Sequence, residues 1–175
     1  TGPQSVLDQL VVSVADGVLV VRRKTMGMSW SDAQTATVTV TMPVLASAAI
    51  SGSGDLTADR AAADSVAATL SGSGDLSIAT VDAKTVALSL AGSGDLKIGG
   101  GKADSGDLGL AGSGDMDASG LSLANASVSL AGSGDIALTA TGAVKASLVG
   151  SGDVRVSGGA KCDSNAIGSG EVICG

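Results

Sequence analysis

GSGDLSIATVDAKTVALSLA, residues 72–91, decides the fold of this 175-residue chain. It is one unit of a repeat. Gly-Ser-Gly-Asp begins at Gly52, Gly72, Gly92, Gly112, Gly132 and Gly150, and a variant ending in Glu171 begins at Gly168. The first four intervals are 20 residues (72 − 52 through 132 − 112) and the last two are 18 (150 − 132 and 168 − 150). A period in this range marks a solenoid, in which one coil cannot bury its apolar face alone and stacked coils share a continuous core.

Within the unit, Leu76 and Ile78, then Val81 and Ala83, then Val86, Leu88 and Leu90 alternate with small or polar residues. Period two is the pattern of a half-buried strand. Three short strands per coil predict an all-β, single-stranded, three-sided β-solenoid (β-helix), right-handed by analogy, with no helix of consequence. Leu56, Ala58, Val66, Ala68 and Leu70 hold the same positions one coil earlier, and Met116, Ala118, Leu121, Leu123, Ala126, Val128 and Leu130 two coils later. The 18-residue coils are expected to lose their two residues between the first and third strands, near Thr139 to Ala143.

The corner follows from turn chemistry. Two glycines one residue apart permit positive φ where a Cβ would clash, and the Asp carboxylate accepts backbone N–H groups freed by the turn. A phosphate-cradling loop is poorly supported, because no Gly-Lys-Ser/Thr follows and the motif leads into a strand pattern. Asp107, in Ser105-Gly106-Asp107-Leu108, interrupts a third strand and reads as an echo of the motif rather than a site.

Ahead of the repeats, Leu10, Val12 and Val14 alternate, Asp16-Gly17 turns the chain, and Val18 and Val20 alternate again, which predicts a β-hairpin. Thr25 to Gln34, with Trp30, reads as a loop and Thr37 to Met42 as another strand. Ala46, Ala48 and Ile50 fall in register with the third strand of the repeat. The expected organisation is a single domain, 1–175, with residues 1–45 capping or starting a solenoid of residues 46–175.

Composition restricts the chemistry. The chain has 27 Gly and one Trp, and no Phe, Tyr or His. Its core must therefore be built from Val, Leu, Ile and Ala, without the contact area aromatics supply. Lack of His removes the usual general base and the commonest metal ligand, and two cysteines are too few for a zinc site. A Ser–Lys dyad stays open, but nothing singles out one pair among Lys84, Lys97, Lys102 and Lys145. No apolar run reaches 18 residues, so no membrane-spanning helix is expected, and the first residues lack the pattern of a signal peptide. The formal net charge of −7 argues against nucleic acid as a partner.

That charge has a source. In stacked coils, Asp55, Asp75, Asp95, Asp115, Asp135, Asp153 and Glu171 form a column of seven carboxylates, and without it 17 − 7 = 10 acidic residues balance 10 basic ones. Adjacent rungs repel by roughly 1 kcal/mol in water at about 4.8 Å. Backbone N–H groups or bound cations must offset this. Calcium is the sharp alternative to a structural ladder, although it wants six to eight oxygens and each turn supplies one carboxylate. Cys162 and Cys174 take inward positions flanking the last turn. They close as a disulfide that pins the terminal coil, which would argue for an oxidising compartment, or they stay as two buried thiols.

The run Asp8 to Lys24, the segment Thr37–Thr41 followed by Pro43, and Ile50-Ser51-Gly52-Ser53-Gly54-Asp55-Leu56 resemble a bacterial family called "putative auto-transporter adhesin, head GIN domain". The resemblance covers nearly the whole chain. It implies a β-helical domain that is exported to the periplasm, envelope or cell surface, and it carries no agreed catalytic or ligand residues. It also implies a further strand segment ahead of Leu7–Val14, as if this chain were trimmed.

The expected function is a non-enzymatic surface or envelope module. Its partner would be a cell-surface protein or glycan, or another copy met through sheet edges or faces. Outward Ser65, Thr69, Thr85, Ser89, Ser127 and Ser129 form flat hydroxylic ground suited to this. A carbohydrate-binding or carbohydrate-processing β-helix is poorly served by one Trp, and an ice-binding face would need a regular Thr file that is absent.

Overall fold

The computed structural model describes residues 1–24 and 35–175, so the loop expected over Thr25–Gln34 lies outside the described residues. The chain divides into two compact units, Thr1–Met42 and Pro43–Gly175.

In the first unit a single helical turn, α1 (Gln4–Leu7), precedes an antiparallel hairpin of β1 (Leu10–Ala15) and β2 (Val18–Arg23). Ala15 pairs with Val18 across a two-residue turn in which Asp16 (φ 51°) and Gly17 (φ 76°) are both left-handed. That is the turn whose twist matches its strands, and Asp-Gly suits it. The strand expected over Thr37–Met42 does not form. Its alternating Val38, Val40 and Met42 are 42, 44 and 42% exposed. The backbone bonding of this run, among the described residues, is a reciprocal pair between Thr1 and Thr37 at 2.6 and 2.7 Å. Alternation makes no sheet by itself, and no strand among the described residues pairs with this run.

The second unit is a parallel β-solenoid. Its strands are β3 (Ser47–Gly52), β4 (Leu56–Ala62), β5 (Ser65–Gly72), β6 (Leu76–Asp82), β7 (Thr85–Gly92), β8 (Leu96–Ile98), β9 (Gly101–Gly112), β10 (Met116–Gly132), β11 (Ile136–Ala140), β12 (Ala143–Gly150), β13 (Val154–Ser157), β14 (Lys161–Gly168) and β15 (Val172–Cys174). Each pairs in parallel with its counterpart one coil away, as in Leu76↔Leu96 and Leu90↔Leu110. Buried residues fall in three runs per coil: Leu76 and Ile78, then Val81, then Val86, Leu88 and Leu90. Between the first two runs Ala79 and Thr80 both face out, and that break in alternation is a corner.

Core volume is balanced between neighbouring files. Leu123 sits where the adjacent coils carry Ala103 and Ala140, and Gly106 sits where its neighbours carry Val86 and Ala126. A Cβ on Gly106 would come within 2.7 Å of Leu123 Cδ1, so the leucine fills the space that the glycine vacates. Gly106 lies inside β9 with its side toward the core, so Ser105-Gly106-Asp107-Leu108 is strand and not corner.

Candidate functional site

The corner motif is built by stacking. The first glycine of every copy, the initial Gly52 (122°) included, has positive φ, as at Gly92 (137°), whereas the second, Gly94, does not. The second is still obligatory: a Cβ there would press into the Gly74 carbonyl, its carbon only 2.9 Å away. Both glycines were expected to supply positive φ. Only the first does, and close approach of the coil below explains the other.

Each ladder carboxylate but the last, Glu171, is committed to the next coil. Asp55 Oδ1 accepts the backbone N–H of Asp75 at 3.0 Å, and the pattern repeats through Asp95, Asp115, Asp135 and Asp153 to the N–H of Glu171, at 2.8 to 3.1 Å. The Gly52 carbonyl accepts from Ser73 and Gly74 at 2.9 and 3.3 Å, and the Asp95 carbonyl accepts from Leu76 at 2.9 Å. Every N–H of the Gly72–Asp75 corner after its first residue is thereby used. Charge-assisted bonds of this kind are the stronger class. At the far end Arg155 pairs with Asp135 (3.4 Å) and Asp153 (3.0 Å). The seven residues named from sequence thus form one column, and they meet end to end rather than converging. Among the described residues no group of three or more Asp, Glu, Cys or His comes together as a metal centre.

Cys162 and Cys174 are joined by a disulfide with Cα atoms 6.5 Å apart, linking β14 to β15 within the last coil. They lie in register with Val144 and Val156 of the coil below, where those positions are core.

Away from the ladder, two local features were not anticipated from sequence. Asp117 accepts the Ser119 hydroxyl at 2.6 Å and the Ser119 N–H at 3.1 Å, and Lys97 Nζ lies 3.5 Å away. The Ser119 hydroxyl chiefly, with the backbone N–H and the lysine adding to it, holds the carboxyl below the ordinary aspartate value against the opposing effect of partial burial. The second feature is an open groove of about 250 Å³ lined by Ala83, Lys102, Ala103, Asp104, Ser122, Leu123, Ala124 and Thr141. It lies where coil length changes. Ala118 pairs with Leu138 but Ser122 with Thr139, so Ser119, Gly120 and Leu121 have no counterparts in the next coil. The chain recovers one residue at Thr141-Gly142, and Asn125 Oδ1 takes the orphaned Ala143 N–H at 3.0 Å. The step from 20 to 18 was the one sequence signal for this groove.

The architecture defines a class: a parallel β-solenoid with an N-terminal hairpin, cornered by a Gly-Ser-Gly-Asp ladder. Residues 1–160 match the family "Putative auto-transporter adhesin, head GIN domain", and the chain belongs to that family. Among solved structures it is similar to a putative adhesin of Bacteroides fragilis, with a TM-score of 0.84 and 24% identity over 98% of this chain and 79% of that one. A putative adhesin of Parabacteroides distasonis is 28% identical with a TM-score of 0.69, covering 99% of this chain and 82% of the other. A "putative lipid binding protein" of the same species shares the fold at 22% identity and a TM-score of 0.69, over 99% of this chain and 82% of that one. No curated protein matches the chain. Among the described residues no helix is long and apolar enough to cross a membrane.

Proposed function

We propose that this chain is a non-enzymatic module of an exported bacterial protein, binding a protein or glycan at a cell surface. One observation carries the reading: among the described residues, none that is polar or charged is buried. Enzymes keep titratable groups in clefts, where burial and neighbours shift their pKa. Among the described residues the interior is apolar and the polar side chains face outward. The family's description, which names an adhesin and no reaction, supports the same reading.

A concave polar stretch of surface is the groove with Lys102, Asp104, Ser122 and Thr141, whose volume suits one side chain or one sugar ring. The test is binding of labelled protein to glycan arrays and to intact cells. Lys102→Glu and Asp104→Lys should each weaken binding at least about tenfold, the scale of one lost charged contact, while Ser77→Arg on another face leaves it unchanged. Turnover of a polysaccharide, or binding indifferent to both groove variants, would overturn the proposal.

A further inference from the structure

The third strands form one uninterrupted face. β3, β5, β7, the later parts of β9 and β10, β12 and β14 pair residue for residue, with no register shift. Four exposed files run along it. One holds Ala87, Asp107, Ser127, Lys145 and Asp163 on successive coils. A second holds Ala91, Ala111, Ala131, Val149 and Ile167, and a third holds Gly109, Ser129 and Ser147. Val149 and Ile167 are 51 and 61% exposed, large aliphatic groups at the end of a file otherwise made of Ser and Ala. Among the described residues neither Asp107 nor Lys145 takes part in an ion pair.

We infer that this face is occupied by a second copy of the chain, related by a two-fold axis parallel to the strands and level with Ser127. Such an axis keeps each file opposite itself and reverses the order of coils, which makes the contact isologous. A residue one coil before Ser127 then meets the residue one coil after it in the other copy. Asp107 faces Lys145 of the second copy, and the symmetry supplies that pair twice. Ala111 faces Val149 and Ala91 faces Ile167 of the second copy, so each large aliphatic group meets an alanine. Gly109 faces Ser147 in the same sense. Charge and size are complementary about one level, and the two most exposed aliphatic residues of the face gain cover. About this axis β7, β9, β10, β12 and β14 overlap, and five strands at about 4.8 Å spacing and about 20 Å long give roughly 480 Å² per copy, or about 960 Å² in total, the size of a weak, reversible contact, so the pairing rests on charge and size complementarity rather than on area.

This inference goes beyond the surface-binding reading and does not depend on it; the other two faces and the groove stay open to a partner. The experiment is sedimentation of the whole chain, disulfide intact, from about 1 to 100 µM, with circular dichroism to establish folding of each variant. A dimer is expected. Asp107→Lys and Lys145→Asp, each placing like charges opposite one another twice, should raise the dimer dissociation constant at least about a hundredfold, with the double exchange restoring it. Ser127→Cys, on the axis, should cross-link two copies under mild oxidation. A chain monomeric throughout the range overturns the inference, as does a dimer that ignores both reversals or one the double exchange fails to rescue.

Discussion

Gly94→Ala tests the stacking argument, because the same substitution at Gly54 is its built-in control. A Cβ on Gly94 is forced into the carbonyl of Gly74, while a Cβ on Gly54, at the first corner, meets nothing within 4 Å. Neither glycine has positive φ, so backbone strain is equal and absent at both. To admit the methyl group, the Gly94 corner must lift from the one below. The bonds holding it there are Ser93 and Gly94 N–H to the Gly72 carbonyl (2.9 and 3.2 Å) and Asp95 N–H to Asp75 Oδ1 (3.1 Å). Losing three bonds worth about 0.5–1.5 kcal/mol each, the last charge-assisted, costs about 2–5 kcal/mol. Gly54→Ala loses none of them and gains about 0.4–1 kcal/mol through reduced freedom of the unfolded chain. Urea unfolding followed by circular dichroism measures both, with slopes compared to confirm one cooperative unit. Equal midpoints for the two variants, or a Gly94→Ala midpoint matching the parent, would refute close approach as the reason for the second glycine.

Gly106→Val should destabilise by about 1–3 kcal/mol through overpacking against Leu123, and adding Leu123→Ala should recover most of it; a double-mutant cycle in urea gives the coupling. The Asp117 carboxyl, held low mainly by the Ser119 hydroxyl, contributes stability above its unfolded pKa that is lost as pH falls through the lower folded value. Asp117→Asn should therefore flatten the fall in stability below about pH 4, the unperturbed carboxylate range, by a small amount because the group is well exposed. Reducing Cys162–Cys174 should cost about 2–4 kcal/mol, confined to the last coil; hydrogen exchange should speed up in Lys161–Cys174 and stay unchanged in Leu76–Gly92. Calcium added to the metal-stripped protein should give no saturating heat, and a saturating titration that weakens in Asp95→Asn would make the ladder a cation site.

The solenoid was legible because its information is local and repeated. Leu76, Ile78, Val86, Leu88 and Leu90 carry their inward direction in the alternation itself, and the constant step aligns them from coil to coil. Thr37–Met42 shows the limit of that signal: Val38, Val40 and Met42 alternate equally well, but no strand among the described residues pairs with them. The second corner glycine was read as a conformational need when it is a spatial one, visible only with Gly74 stacked beneath Gly94. The groove was hidden for a related reason. Lys102, Asp104, Ser122 and Thr141 span three coils; Lys102 and Ser122 are register partners, and Thr141 lies on the coil entered across the register shift after Ala118, so no motif marks the set.

The ladder was legible as a column and backbone N–H groups as what its carboxylates accept, but which turn supplies them was not. A turn Asp ordinarily caps its own turn, and here each carboxylate caps the turn of the following coil. That geometry explains how seven like charges coexist at about 4.8 Å, where neighbours repel by roughly 1 kcal/mol in water. Every rung but the last places one oxygen on an N–H dipole, and the Arg155 guanidinium closes on Asp135 and Asp153. A cation approaching the column finds the other oxygen of each rung, strung along an axis, and calcium asks for six to eight around a point. The motif's repetition is thus accounted for by holding corners together. Residues that vary from coil to coil are under no such demand, and Asp107, Ser127 and Lys145 occupy one file with three different chemistries. Selectivity for a partner belongs on positions of that kind, where the repeat is free to differ from itself.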